Sequence, residues 1–220
     1  MTNNYKILTI LLAIFVTWQA WEVSRTNKNG AVSSTSKIAS DVGINILKEG
    51  GNAFDAIVAT GFALAVTSPS NGNIGGGGFL VAHTTDGRLV SLDFREKAPQ
   101  LSYQQMFLNE NGDYDRTVAL ESHKSSGVPG TVNGLLKILN DYGSGKLTLE
   151  EILSPAINYA ENGFIVNKTT AYSFNAYKDQ FGGDDGTKKI FIKENIIQTK
   201  NSEIKFWKGI GYTIKKILTL

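Results

Sequence analysis

The 220-residue chain contains no cysteine. That removes a disulfide framework, a thiolate zinc site, an iron–sulfur cluster and a cysteine nucleophile together. Histidine is nearly as scarce, with His83 and His123 alone. Two imidazoles leave little for a histidine-rich metal centre or a proton relay, so no metal and no cofactor is expected. Neither sign of charge dominates: 22 Lys and Arg stand against 20 Asp and Glu. That balance gives no ground for expecting a nucleic-acid partner.

What the chain does have is apolar material and glycine. With 41% hydrophobic residues it can bury one sizeable core or two small ones. Of its 23 glycines, four are consecutive at 75–78. Such a run is needed where backbone must pass a place that side chains would not fit.

The two ends differ from the middle. Lys6 precedes a mostly apolar run over 7–20 that includes Thr9, Thr17 and Gln19. A cation before a short apolar stretch is the layout of an export signal, and a spanning helix wants about 20 apolar residues. Residues 1–22 are therefore expected to be a signal peptide or, since Trp18 fits a small-x-small cleavage site poorly, a signal anchor. Either gives an exported protein, periplasmic or extracellular, or one held in the plasma membrane through 7–20. Polar residues 23–30 read as a linker, the folded part as 31–187, and 188–220 as a basic, divergent tail with a solvated face. The apolar Ile217-Leu218-Thr219-Leu220 carries no stop signal and reads as cut rather than finished.

In the middle, Ile38, Val42, Ile46 and Leu47 fall on one face of a helix predicted over 36–48, with a serine cap before it and Gly50-Gly51 after it. Residues 52–66 leave almost no polar face, which predicts a helix buried in the core, capped by Asn52 with Asp55 in its first turn. The glycines lead into strand formers over 79–84, an Asp86-Gly87 turn, and a returning strand over 88–94. A short helix is expected over 101–107, a loop over 109–115, and a helix over 131–140. Thr148 and Glu151 form a capping box for a helix over 149–162, which Pro155 should kink or divide and Gly163 should end.

The glycine run follows a helix and precedes a strand, the reverse of a P-loop or a dinucleotide fingerprint; it is either a structural turn or a backbone approach to substrate or a partner chain. Asp93-Phe94-Arg95-Glu96-Lys97 puts four charges at a strand end, either as a surface cluster or as a grip on an acidic group by the Arg95 fork. His123 lies among Ser122, Ser125 and Ser126, but no G-x-S-x-G elbow accompanies them. His83 reads as a packed or cross-strand histidine, and Asp184-Asp185 as solvated. No local constellation completes a catalytic machine, so no catalytic residue is assigned.

Five blocks in order are more specific than any of these alone. They are Ile46-Leu47-Lys48-Glu49-Gly50-Gly51-Asn52-Ala53-Phe54-Asp55-Ala56, Asn73-Ile74-Gly75-Gly76-Gly77-Gly78-Phe79, Asp93-Phe94-Arg95-Glu96-Lys97-Ala98-Pro99, Ser126-Gly127-Val128-Pro129-Gly130-Thr131-Val132 and Asn162-Gly163-Phe164-Ile165-Val166. Together they resemble the gamma-glutamyltransferase, or glutathione hydrolase, family over 31–181, weakly to 207 and not beyond.

The resemblance implies an α+β fold, part of the αββα sandwich of N-terminal-nucleophile hydrolases. It implies a precursor that cleaves itself into a large and a small subunit, the new N-terminal threonine of the small subunit being both nucleophile and, through its α-amine, base. That threonine takes the γ-glutamyl group of glutathione as an acyl-enzyme and passes it to water or an amino acid. Arg95 is then the ligand of the glutamyl α-carboxylate. The expected partners are γ-glutamyl small molecules such as glutathione and the family's small subunit. No threonine here lies in a matching processing site, so the chain is expected to be an inactive large-subunit portion. Two alternatives stand beside it, a related acylase with another acyl group and a non-catalytic binder of acidic ligands.

Overall fold

A computed structural model describes residues 30–72, 74–183 and 185–191. Helix α1 is Lys37–Lys48 and helix α2 is Ala53–Thr67. Ser36 caps α1, its hydroxyl accepting from the Ala39 amide at 3.4 Å. The buried face of α1 is Ala39, Val42, Gly43 and Ile46, with Leu47 at its border and Ile38 only half-buried. Gly43 lets the helix close on α2, since a Cβ there would strike the Thr60 hydroxyl and come within 2.9 Å of Val32.

Helix α2 lies under three neighbours, as its lack of a polar face predicts: α1, α4 (Thr131–Tyr142) and α5 (Leu149–Asn162). Val58, Ala59, Phe62, Ala63 and Val66 are fully buried in it, while Ile57 keeps one edge in solvent. The β-hairpin of β1 (Phe79–His83) and β2 (Leu89–Asp93) lays one face on this helical layer through Leu80, Ala82, Leu92 and Phe94. Strict alternation puts the other residues outward: Phe79, Val81 and Leu89 expose 63%, 79% and 80% of their surfaces. The loop is built on Asp86-Gly87, with Gly87 at φ 85° and the Thr84 amide donating to the Arg88 carbonyl at 2.9 Å.

Helix α5 runs undivided through Pro155. Pro155 cannot donate to the Glu151 carbonyl, and the Ser154 hydroxyl donates to that oxygen instead, at 3.1 Å. The helix ends at Gly163, at φ 86°. Residues 101–107 form no helix. They hold separate turns, the Ser102 amide and hydroxyl both donating to the Pro99 carbonyl at 2.9 and 2.5 Å, and Leu101 is exposed. A helix that the sequence pattern did not reveal, α3 (Arg116–Glu121), follows instead, capped by Asp115. Three short helices, α6 (Lys168–Ala176), α7 (Lys178–Gly182) and α8 (Asp185–Phe191), complete the described chain. Among the described residues no helix is long and apolar enough to cross a membrane, and the signal or anchor expected over 1–22 lies outside them.

Candidate carboxylate-binding site

Arg95 lies two residues beyond the end of β2, and three of the five sequence blocks meet there. The hairpin extends by one pair beyond its strands, the Phe94 amide donating to the Gly78 carbonyl at 3.0 Å. Lys97 and Val128 then pair in antiparallel fashion, with amide-to-carbonyl distances of 3.1 and 2.8 Å. That pairing draws in the Val128-Pro129-Gly130 block. Gly130, the N-cap of α4, has no side chain to cap with, and its amide and that of Thr131 both donate to the Gly76 carbonyl, at 2.8 and 3.0 Å. The glycine run thus closes the N-terminus of α4 with a carbonyl.

The same run explains itself by contact. A Cβ on Gly77 would stand 2.6 Å from the Phe94 carbonyl oxygen and 2.7 Å from the Arg95 Cα and the Glu96 nitrogen. Gly130 and Gly134 would collide with Phe94, the first with its carbonyl and the second with its ring. Gly77 thus packs its backbone on the chain's own residues 94–96, as the structural alternative for the glycine run requires.

Arg95 is 62% exposed and held at three points. Its amide donates to the Asp93 carboxylate at 2.9 Å, its Nε donates to Glu96 Oε2 at 3.2 Å, and its Cζ lies 5.7 Å from the centre of the Phe79 ring. Among the described residues its terminal nitrogens have no hydrogen-bond partner. Glu96 is held below the usual glutamate range chiefly by its own backbone amide, with Arg95 and the Gly77 amide adding to it and outweighing, together with it, the opposing desolvation. A cleft of about 590 Å³ opens beside this strand end, lined by Arg95, Lys97, Val128, Asn133 and Lys137 among others. Lys137 is paired with Asp141 at 2.7 Å, which raises the lysine and lowers the aspartate relative to their ordinary values. An exposed guanidinium with its terminal nitrogens free can take a carboxylate bidentately.

The other candidates fall away from this site. The Ser122 and Ser125 hydroxyls donate to the Val118 and Ser122 carbonyls at 2.5 and 2.6 Å, so neither is poised toward the exposed His123. His83 pairs across the hairpin with Leu89 and is exposed rather than packed. Asp185 opens α8 and is exposed, while Asp184 lies outside the described residues. Among the described residues no cluster of His, Asp and Glu is arranged to hold a metal ion. The two remaining blocks are helix ends: Asn52 and Asp55 cap α2, and Gly163 closes α5. Phe79 beneath Arg95 was not foreseen, although counting outward from the Thr84–Arg88 pair puts the two on one face.

A helical layer packed on a β-hairpin is here the mixed α+β, large-subunit portion of an N-terminal-nucleophile hydrolase. The sequence profile of the gamma-glutamyltranspeptidases matches residues 39–219, running past 207, where the block resemblance ends. The chain belongs to that family. It is 44% identical over 168 residues to the glutathione hydrolase proenzyme of Escherichia coli, covering 76% of this chain and 29% of that one. The gamma-glutamyltranspeptidase of Helicobacter pylori superposes with a TM-score of 0.82 at 39% identity, over 88% of this chain and 55% of that one. A cephalosporin acylase from Bacillus halodurans superposes at 0.66 and 27% identity, over 83% of this chain and 34% of that one. The chain thus spans about a third or less of the curated relatives' length.

Proposed function

We propose that this chain supplies the substrate-recognition portion of a glutathione hydrolase, with Arg95 binding the α-carboxylate of a γ-glutamyl group. The observation that carries the reading is the exposed side chain of Arg95, a residue lining the cleft, bonded through Nε to Glu96 and, among the described residues, without a hydrogen-bond partner at its terminal nitrogens. In this reading bond cleavage belongs to the N-terminal threonine of the family's small subunit. Its hydroxyl attacks the γ-carbonyl, its α-amine takes the proton and returns it to the departing amine, and water or an amino acid then releases the glutamyl ester. No residue of the 220-residue chain takes the nucleophile's role. The sequence at 1–22 supports export, with delivery outside the cytoplasm or anchoring in the plasma membrane.

The chain alone is expected to release no chromophore from a γ-glutamyl anilide, and to bind L-glutamate with an affinity that Arg95→Ala lowers. Turnover that survives purification, or glutamate binding indifferent to Arg95, contradicts the reading. The likeness to a cephalosporin acylase supports a second one, an acylase for another acyl group. If that is correct, Arg95→Ala leaves binding of non-glutamyl acyl ligands intact and L-glutamate does not compete with them.

A further inference from the structure

Phe79 is an apolar side chain in an exposed position of β1, and 63% of its surface faces solvent on the outer side of the hairpin. An isolated exposed phenylalanine needs no explanation. This one, however, has the Arg95 guanidinium carbon 5.7 Å from its ring centre. The register makes the encounter a property of the fold. Phe79 pairs with Asp93, so Arg95, two residues further along, is its diagonal neighbour on the same face, within reach of long and aromatic side chains. The face of a benzene ring carries negative potential and attracts a cation placed over it, and the flat guanidinium lies well against it.

We infer that Phe79 is a positioning residue for Arg95, a shelf that holds the guanidinium plane at the strand end so that its terminal nitrogens meet a ligand carboxylate together. Each anchor limits a different motion. The amide bond to Asp93 fixes the main chain, Glu96 at 3.2 Å pins Nε, and the ring of Phe79 limits rotation about the last bonds of the side chain. Without the ring, Arg95 still reaches the cleft but loses rotamer freedom on binding, and that loss weakens affinity. The ring makes no contact with the reacting bond in this account and acts only through Arg95. The inference rests on the reading of Arg95 as the carboxylate ligand.

The test uses the 220-residue chain, titrated with L-glutamate and followed through the Arg95 Nε–Hε resonance by nuclear magnetic resonance. Phe79→Leu should raise the dissociation constant about two- to fivefold, the range of an exposed cation–π contact, and move the Hε resonance as the ring current is lost. Phe79→Tyr, which keeps the ring, should leave both near the wild type. In an Arg95→Ala background Phe79→Leu should cost nothing further. If Phe79→Leu fails to fold, Phe79→Met removes the ring while keeping the volume. Wild-type affinity in the ringless variant, or equal loss with and without Arg95, overturns the inference and leaves the carboxylate reading standing. Unchanged glutamate binding in Arg95→Ala, or no binding by the wild type, overturns both.

Discussion

The backbone of Gly77 runs so close to Arg95 that a Cβ on the glycine would stand 2.7 Å from the arginine Cα. Gly77→Ala must therefore push residues 94–96 aside or leave the methyl group in a clash. Overpacking of this kind costs about 1–3 kcal/mol. Urea unfolding should show that loss, and glutamate affinity should fall with it, because the displaced segment carries Arg95. An alanine variant with both wild-type stability and wild-type affinity would mean that the glycine run does not set the position of Arg95.

Asp55 is fully buried, and its carboxylate serves two amides at once. It accepts from Asn52 at 2.8 Å, closing the capping box of α2, and from Ser144 at 3.1 and 3.2 Å, where the chain leaves α4. Asn52 returns the tie through its side-chain amide to the Tyr142 carbonyl at 2.8 Å. Asp55→Ala leaves both half-buried amides without their acceptor and should lower stability by about 1–3 kcal/mol. Denaturant titration gives the number, and a loss below about 0.5 kcal/mol would show that water or a shifted loop replaces the carboxylate.

Glu151 titrates below the usual glutamate range because the Thr148 amide and then its hydroxyl donate to the carboxylate. A carboxyl depressed in the folded state stabilises the fold above its unfolded pKa, and that contribution is lost as pH falls through the folded one. Glu151→Gln removes the titration. Unfolding midpoints of the two proteins, measured at a series of acid pH values, should converge as pH falls below the usual glutamate range. A constant gap would show that the carboxylate's charge contributes nothing to the cap of α5.

Fusing residues 1–30 to a reporter that matures only outside the cytoplasm tests the export expected from Lys6 and the apolar run after it. An active reporter is expected. An inactive one places the chain inside the cell and removes the export reading.

Local patterns carried most of the elements that position the site. Helix α2 could be read from its missing polar face and from Asn52 and Asp55, and the hairpin from Asp86-Gly87. Both signals act within a few residues, where capping and turn geometry decide the outcome. The bounds of α5 could be read from Thr148, Glu151 and Gly163, whereas the turns over 101–107 were not legible, because they involve one hydroxyl, Ser102, finding one carbonyl. Arg95 could be singled out by its charge-rich block, but its environment could not. Gly76, Gly77 and Gly130 are brought to its strand end by contacts between segments some 20 to 55 residues apart in the chain, which periodicity does not report.

The claim that Arg95 grips an α-carboxylate is tested most directly by titrating wild type and Arg95→Ala with L-glutamate and with its α-carboxamide analogue. Wild type should bind glutamate more tightly than the α-amide by about tenfold or more, the worth of a charge-assisted pair. Arg95→Ala should bind the two ligands equally and weakly. A preference for glutamate that survives in Arg95→Ala, or a wild type indifferent to the α-carboxylate, would contradict the account.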